Sequence, residues 1–245
     1  ILKDALEKGG VNTKYLIQGS SPSGIALDFI DLDGNYQAAV LAGANADLDG
    51  EDLPEDEAFW GSIGLTVIQL ECPIPFTEAI GLKSKNYGIP ILLNAAPAIP
   101  FPDSWWDWVD ILVVNELEAE TLSKKKIDDF EDARRSMEIL LDRCQNTVIT
   151  LGEKGLLIGE GSQMKHIPAH TVSTVSTLGA GDAFVGVMAA ELCQGADFEK
   201  SAQIANYAAA ASVTGSGAQT SYLTLEILLE HPVLGESFQQ WHQMS

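Results

Sequence analysis

Ser176-Thr177-Leu178-Gly179-Ala180-Gly181-Asp182-Ala183-Phe184 decides the reading of this chain. A loop of small residues runs straight into an apolar helical pattern, residues 181–193. Glycines let backbone N–H groups approach an anion, and the start of a helix adds a favourable dipole. Gly179, Ala180 and Gly181 are therefore the candidate anion hole. Asp182 falls on the first helical turn, beside where a phosphate would lie, and an acid there can take a proton from an attacking hydroxyl. The competing reading is a plain helix cap, a role for which aspartate is also favoured.

Working outward, short apolar runs alternate with helical patterns. Residues 14–18, 24–30 and 36–41 read as strands, and Asp33-Gly34 is a hairpin signal. The front of the chain is thus expected to be antiparallel, with residues 13–41 contributing to a lid. Then come a strand at 65–71, a helix at 77–86 and strands at 89–94 and 111–114. A helix at 131–144, a strand at 147–151 and helices at 181–193 and 200–213 complete the series. Such alternation predicts an α/β fold, a mainly parallel sheet with helices on both faces. Ligands bind at the C-terminal ends of such strands, where Glu71, Asn94, Asn115 and Gly152 fall. The Trp-rich stretch at 101–108 reads as a packed connection. Residues 2–8 are helix-like.

The 14 basic residues against 35 acidic ones leave a formal net charge of -21. That surface repels nucleic acid and anionic membrane, so neither is an expected partner. An anionic substrate must then be met by backbone N–H groups, a metal ion or a few placed cations. No apolar run is long enough to span a bilayer. Cys72, Cys144 and Cys193 are scattered without metal-site spacing and suit core thiols in a reducing cytoplasm. His166, His170, His231 and His242 show no ligand spacing. Lys124-Lys125-Lys126 reads as a solvated patch.

The segment at 176–184 resembles the signature of the ribokinase (phosphofructokinase-B) carbohydrate kinase family, Asp-Thr-Thr-Gly-Ala-Gly-Asp. Further resemblances follow in order: Ala42-Gly43-Ala44-Asn45-Ala46, Gln69-Leu70-Glu71, Asn94-Ala95-Ala96-Pro97-Ala98, Asn115-Glu116-Leu117-Glu118, Thr150-Leu151-Gly152-Glu153-Lys154-Gly155, Asn206, and Gly217-Ala218-Gln219. The resemblance implies transfer of the ATP γ-phosphoryl to a primary hydroxyl of a sugar, ribose foremost. It makes Asp182 the base, and Glu71 a ligand of the sugar hydroxyls. Asn115, Thr150, Leu151, Gly152, Glu153, Lys154, Gly155, Gly181 and Asn206 are implied around ATP. Glu118 is implied to organise Mg²⁺ through water, as a hard ion keeps much of its hydration. A K⁺ site is implied at Ser176, Leu178, Ser212, Gly215, Gly217 and Ser221.

Two departures refine these expectations. Ser176 stands where the family carries an acid, which brings an oxygen without a charge, so K⁺ is expected to act weakly. The family's opening strand and its sugar-gripping Gly-Gly segment have no counterpart, and the chain starts at Ile1. It is therefore expected to be a single, N-terminally incomplete domain. Alternatives are a kinase for fructose, a nucleoside or another small alcohol, and a non-catalytic nucleotide-binding relative. An exposed lid sheet favours a homodimer.

Overall fold

The computed structural model describes residues 1–30, 36–222 and 224–231. Helix α1 (Leu2–Lys8) precedes a two-stranded antiparallel sheet of β1 (Ile25–Ile30) and β2 (Tyr36–Leu41). The short α2 (Glu57–Gly61) leads into a six-stranded sheet in the order β3-β4-β5-β6-β7-β8. Its strands are β3 (Thr66–Ile68), β4 (Ile91–Asn94), β5 (Ile111–Asn115), β6 (Asn146–Thr150), β7 (Leu156–Glu160) and β8 (Gln163–Ile167). β3 to β6 pair in parallel, while β7 and β8 add an antiparallel hairpin.

Side-chain alternation explains why helices lie on both faces. Ile91 and Leu93 of β4 and Leu112 and Val114 of β5 point into one core. Leu92, Ile111 and Val113 point into the other. Both sets are apolar, so both faces must be covered. α4 (Glu116–Ser123) and α5 (Phe130–Leu141) close the first face through Ala119, Ala133, Met137 and Leu140. α6 (Ala180–Cys193) and α7 (Phe198–Ser212) close the second through Phe184, Val185, Met188, Ala202 and Ala205. The crossover α3 (Ile74–Asn86) joins β3 to β4. Residues 101–108 are the packed connection expected of them: Trp105 is fully buried, its ring 5.0 Å from that of Trp108. The short α8 (Leu225–Leu229) ends the described chain.

Several sequence expectations need correction. Residues 14 and 15 form a turn, with Leu16 N–H donating to the Thr13 carbonyl at 3.0 Å, and residues 16–18 have no regular structure. Leu16 and Ile17 are 48% and 52% exposed, with no strand among the described residues to pair with them. The antiparallel part of 13–41 is therefore β1 and β2 alone. The Asp33-Gly34 turn lies outside the described residues, as does His242. Cys193 is exposed rather than a core thiol, whereas Cys144 is buried; all three cysteines are free. The β7–β8 hairpin was not anticipated, because the apolar run at 156–159 lacks the alternation of a half-buried strand. Among the described residues no helix is long and apolar enough to cross a membrane.

Candidate active site

The C-terminal ends of β4, β5 and β6 and the start of α6 enclose a cleft of about 150 Å³. Asn94, Asn115, Glu118, Thr150, Gly181 and Asp182 all line it. Four separate sequence motifs are thereby brought to one place. The parallel register does this directly, since Asn115 sits opposite Thr150.

The cap reading of Asp182 does not hold. The capping position of α6 belongs to Gly179, and no side chain caps the helix. Asp182 is the third helical residue, and its carboxylate faces outward. Oδ1 accepts from Gln69 Nε2 at 3.3 Å, and Oδ2 accepts from the Tyr222 hydroxyl at 3.4 Å. An uncapped helix start leaves backbone donors available to an anion. Ala180 N–H donates to the Thr177 carbonyl at 3.2 Å, so of the three candidate amides at 179–181 this one has a partner inside the loop. Gly179 has φ +80°, and a Cβ there would stand 2.7 Å from the Tyr222 hydroxyl. Glycine is thus required twice, for the backbone conformation and for the close approach.

Asn115 and Glu118 form a reciprocal cap at the start of α4. Glu118 N–H donates to Asn115 Oδ1 at 2.9 Å, and Asn115 N–H donates to Glu118 Oε2 at 2.8 Å. Asn115 Nδ2 donates to Glu118 Oε1 at 2.8 Å. Glu118 is only 5% exposed, and burial pushes its carboxyl above the usual range, against the opposing pull of the two hydrogen bonds from Asn115. Each carboxylate oxygen keeps acceptor capacity beyond its bond to Asn115. That donor set fits the hydration shell of a hard divalent ion.

The loop after β6 is shaped by hydrogen bonds and glycine. Thr150 Oγ1 donates to the Val114 carbonyl at 3.4 Å, and Leu151 N–H to the Gly155 carbonyl at 2.8 Å. Gly152, Glu153 and Lys154 form a single turn. Lys154 Nζ lies 3.7 Å from Glu116 Oε1, which ties this turn to the start of α4. Asn206 is buried and donates through Nδ2 to the Pro168 carbonyl at 3.0 Å, anchoring the chain beyond β8.

The residues expected around a monovalent cation come from two strips held together by backbone. Val175 and Ser176 N–H groups both donate to the Val213 carbonyl, at 2.7 and 3.2 Å. Gly215 N–H donates to the Ser212 carbonyl at 3.2 Å, and a Cβ on Gly215 would lie 3.1 Å from that of Ser221. Leu178 N–H donates to Ser176 Oγ at 3.3 Å, and Gly217 takes φ +79° beside Thr220. The oxygens of this region are neutral. Among the described residues no three His, Cys, Asp or Glu side chains cluster as a metal site. Glu71 is exposed at the end of the β3 segment and does not line the cleft. Gln69, two residues earlier, is the residue that reaches Asp182. No role was expected of Gln69 or Tyr222 from sequence: Gln69 opens the quoted Gln69-Leu70-Glu71 segment, and Tyr222 follows Ser221.

Residues 1–225 match the pfkB family of carbohydrate kinases. A deoxyribokinase of Salmonella typhimurium is 36% identical over 234 residues, covering 94% of this chain and 76% of that protein. A ribokinase structure from Thermotoga maritima superposes with a TM-score of 0.77 at 29% identity, covering 98% of this chain and 76% of that one. A ribokinase from Cryptococcus neoformans in complex with ADP gives 0.82 at 25% identity, over 94% and 78%. With its helix-covered parallel sheet and an acidic residue at the uncapped start of α6, the chain belongs to the pfkB family of carbohydrate kinases.

Proposed function

We propose that the chain transfers the γ-phosphoryl of ATP to a primary hydroxyl of a pentose, with ribose the leading acceptor. The observation that carries this reading is Asp182, an acid that leaves its helix uncapped and lines the same cleft as Asn115 and Thr150. Asp182 takes the hydroxyl proton as the oxygen attacks. The amides of Gly179, Ala180 and Gly181 face the charge that develops on the transferring phosphoryl. Ala180 N–H exchanges its bond to Thr177 for that role. The loop of Thr150, Leu151, Gly152, Glu153, Lys154 and Gly155 flanks the nucleotide. Asn206 supports that site by fixing the segment beyond β8. Glu71 holds a sugar hydroxyl. Mg²⁺ would be held through water at Glu118, and when bound it neutralises phosphate charge.

The β1–β2 sheet serves as the lid. Ile25, Leu27 and Leu41, on one face of it, are 52%, 48% and 61% exposed, which supports a homodimer formed through this sheet. A second acceptor, 2-deoxyribose, is favoured by the similarity to a deoxyribokinase. The two sugars differ in one hydroxyl, and a site built to bind it rejects the sugar lacking it. ADP release measured over ribose, 2-deoxyribose, fructose and adenosine, with MgATP, decides between them. A pentose is expected to give the highest kcat/KM. Preference for fructose or the nucleoside overturns the reading.

The cation expectation has its own test. Ser176, Ser212 and Ser221 offer oxygens without charge, so activation by K⁺ is expected to be weak in the parental chain and stronger in Ser176→Asp. Titration with KCl at constant ionic strength checks this. Strong, saturable activation of the parental chain means that neutral oxygens suffice.

A further inference from the structure

Tyr222 lies 40 residues beyond Asp182, in the closing segment, yet its hydroxyl donates to Asp182 Oδ2 at 3.4 Å. The same hydroxyl packs against Gly179, the capping residue of α6, where a Cβ would lie 2.7 Å from it. One phenol therefore touches both the acid and the start of the anion loop. Gln69, from the opposite segment, holds the other carboxylate oxygen. The acid would otherwise be an exposed side chain on a first helical turn, free to change rotamer.

We propose that Tyr222 is a positioning residue for the phosphoryl transfer: its hydroxyl holds the Asp182 carboxylate in the orientation that receives the sugar proton. This rests on Asp182 being the base. A base is effective only when aimed at the proton it removes, and small misalignments cost rate rather than binding. The Tyr222 phenol O–H is an uncharged hydrogen-bond donor. It can therefore orient the carboxylate without neutralising it, as a nearby Lys or Arg would.

The test compares Tyr222→Phe, which keeps the ring against Gly179, with Tyr222→Leu, which does not, using ribose, 2-deoxyribose and MgATP. Tyr222→Phe is expected to lower kcat about three- to ten-fold, the range of one hydrogen bond, with KM for ATP unchanged. In an Asp182→Ala background it is expected to change nothing further, because the hydroxyl acts through the carboxylate. Parental kcat in Asp182→Ala removes the base, and with it this proposal. A large loss in Asp182→Ala beside parental kcat in Tyr222→Phe overturns the positioning role alone, whatever Tyr222→Leu does. An equal loss from Tyr222→Phe in both backgrounds means that the hydroxyl acts elsewhere, which also overturns it. A readout independent of turnover is ¹³C-tyrosine NMR, with Tyr222 assigned from the Phe variant. At one fixed neutral pH, Asp182→Ala is expected to shift the Tyr222 Cζ resonance, and an unmoved resonance overturns the contact itself.

Discussion

Asp182→Asn is expected to lower kcat by ~10²–10⁴-fold while ATP binding is retained, the range typical of a lost general base. The replacement is nearly isosteric, and its amide oxygen can still accept from Gln69 or Tyr222, so the local fold should persist. What it loses is the capacity to take a proton. ATP affinity should hold or rise, since a negative charge is removed beside the phosphates. Binding by calorimetry and kcat by ADP release, on the same preparation, separate the two effects. Near-parental kcat would return Asp182 to a purely structural role at the start of α6. A parallel loss of ATP binding would point to collapse of the anion loop instead.

Gly155→Ala is expected to be the most damaging small substitution in the loop after β6. Gly155 has φ +91°, and a Cβ there would stand 2.1 Å from the Ile167 carbonyl and 2.5 Å from Ala169 N. Both obstacles are backbone, one at the last residue of β8 and one just beyond it, held in register by the Leu156–Ile167 pair. Neither can swing aside as a flexible side chain would. The backbone conformation alone costs about 1–3 kcal/mol for a non-glycine residue. With the clash added, a loss of ~3 kcal/mol or more is expected, or roughly 6–12 °C in Tm for a chain of this size. Gly161→Ala is the control. It has φ +58° but nothing within 4 Å of the added Cβ, so only conformational strain remains. A Tm loss for Gly155→Ala no larger than that of Gly161→Ala would mean that the β8 segment shifts easily. Because the Lys154 carbonyl is also bonded to His166 Nε2 at 2.7 Å, the same substitution should weaken ATP binding by displacing the loop.

Much of the architecture was legible because it is local. Uniformly apolar β4 and β5 can be satisfied only between two helix layers. The small-residue loop into α6 announces its own geometry, and the loop glycines mark where the chain turns. Residues 14–18 show the limit. Their composition suits a strand, but a strand exists only where another edge supplies hydrogen bonds, and none does among the described residues.

The sequence by itself determined the strand–helix alternation of the parallel sheet from β3 to β6, the two-sided core, the acid on the first turn of α6 and the glycines around it. These follow from periodicity and from conformations that only certain residues adopt. Tertiary structure alone decided that Asn206 is committed to Pro168, and that Gln69 and Tyr222 meet on Asp182 from 113 and 40 residues away. No pattern along the chain encodes such meetings. A side chain's partner depends on where sheet register and helix packing carry its backbone, and that is set by burial of apolar surface spread over the whole fold.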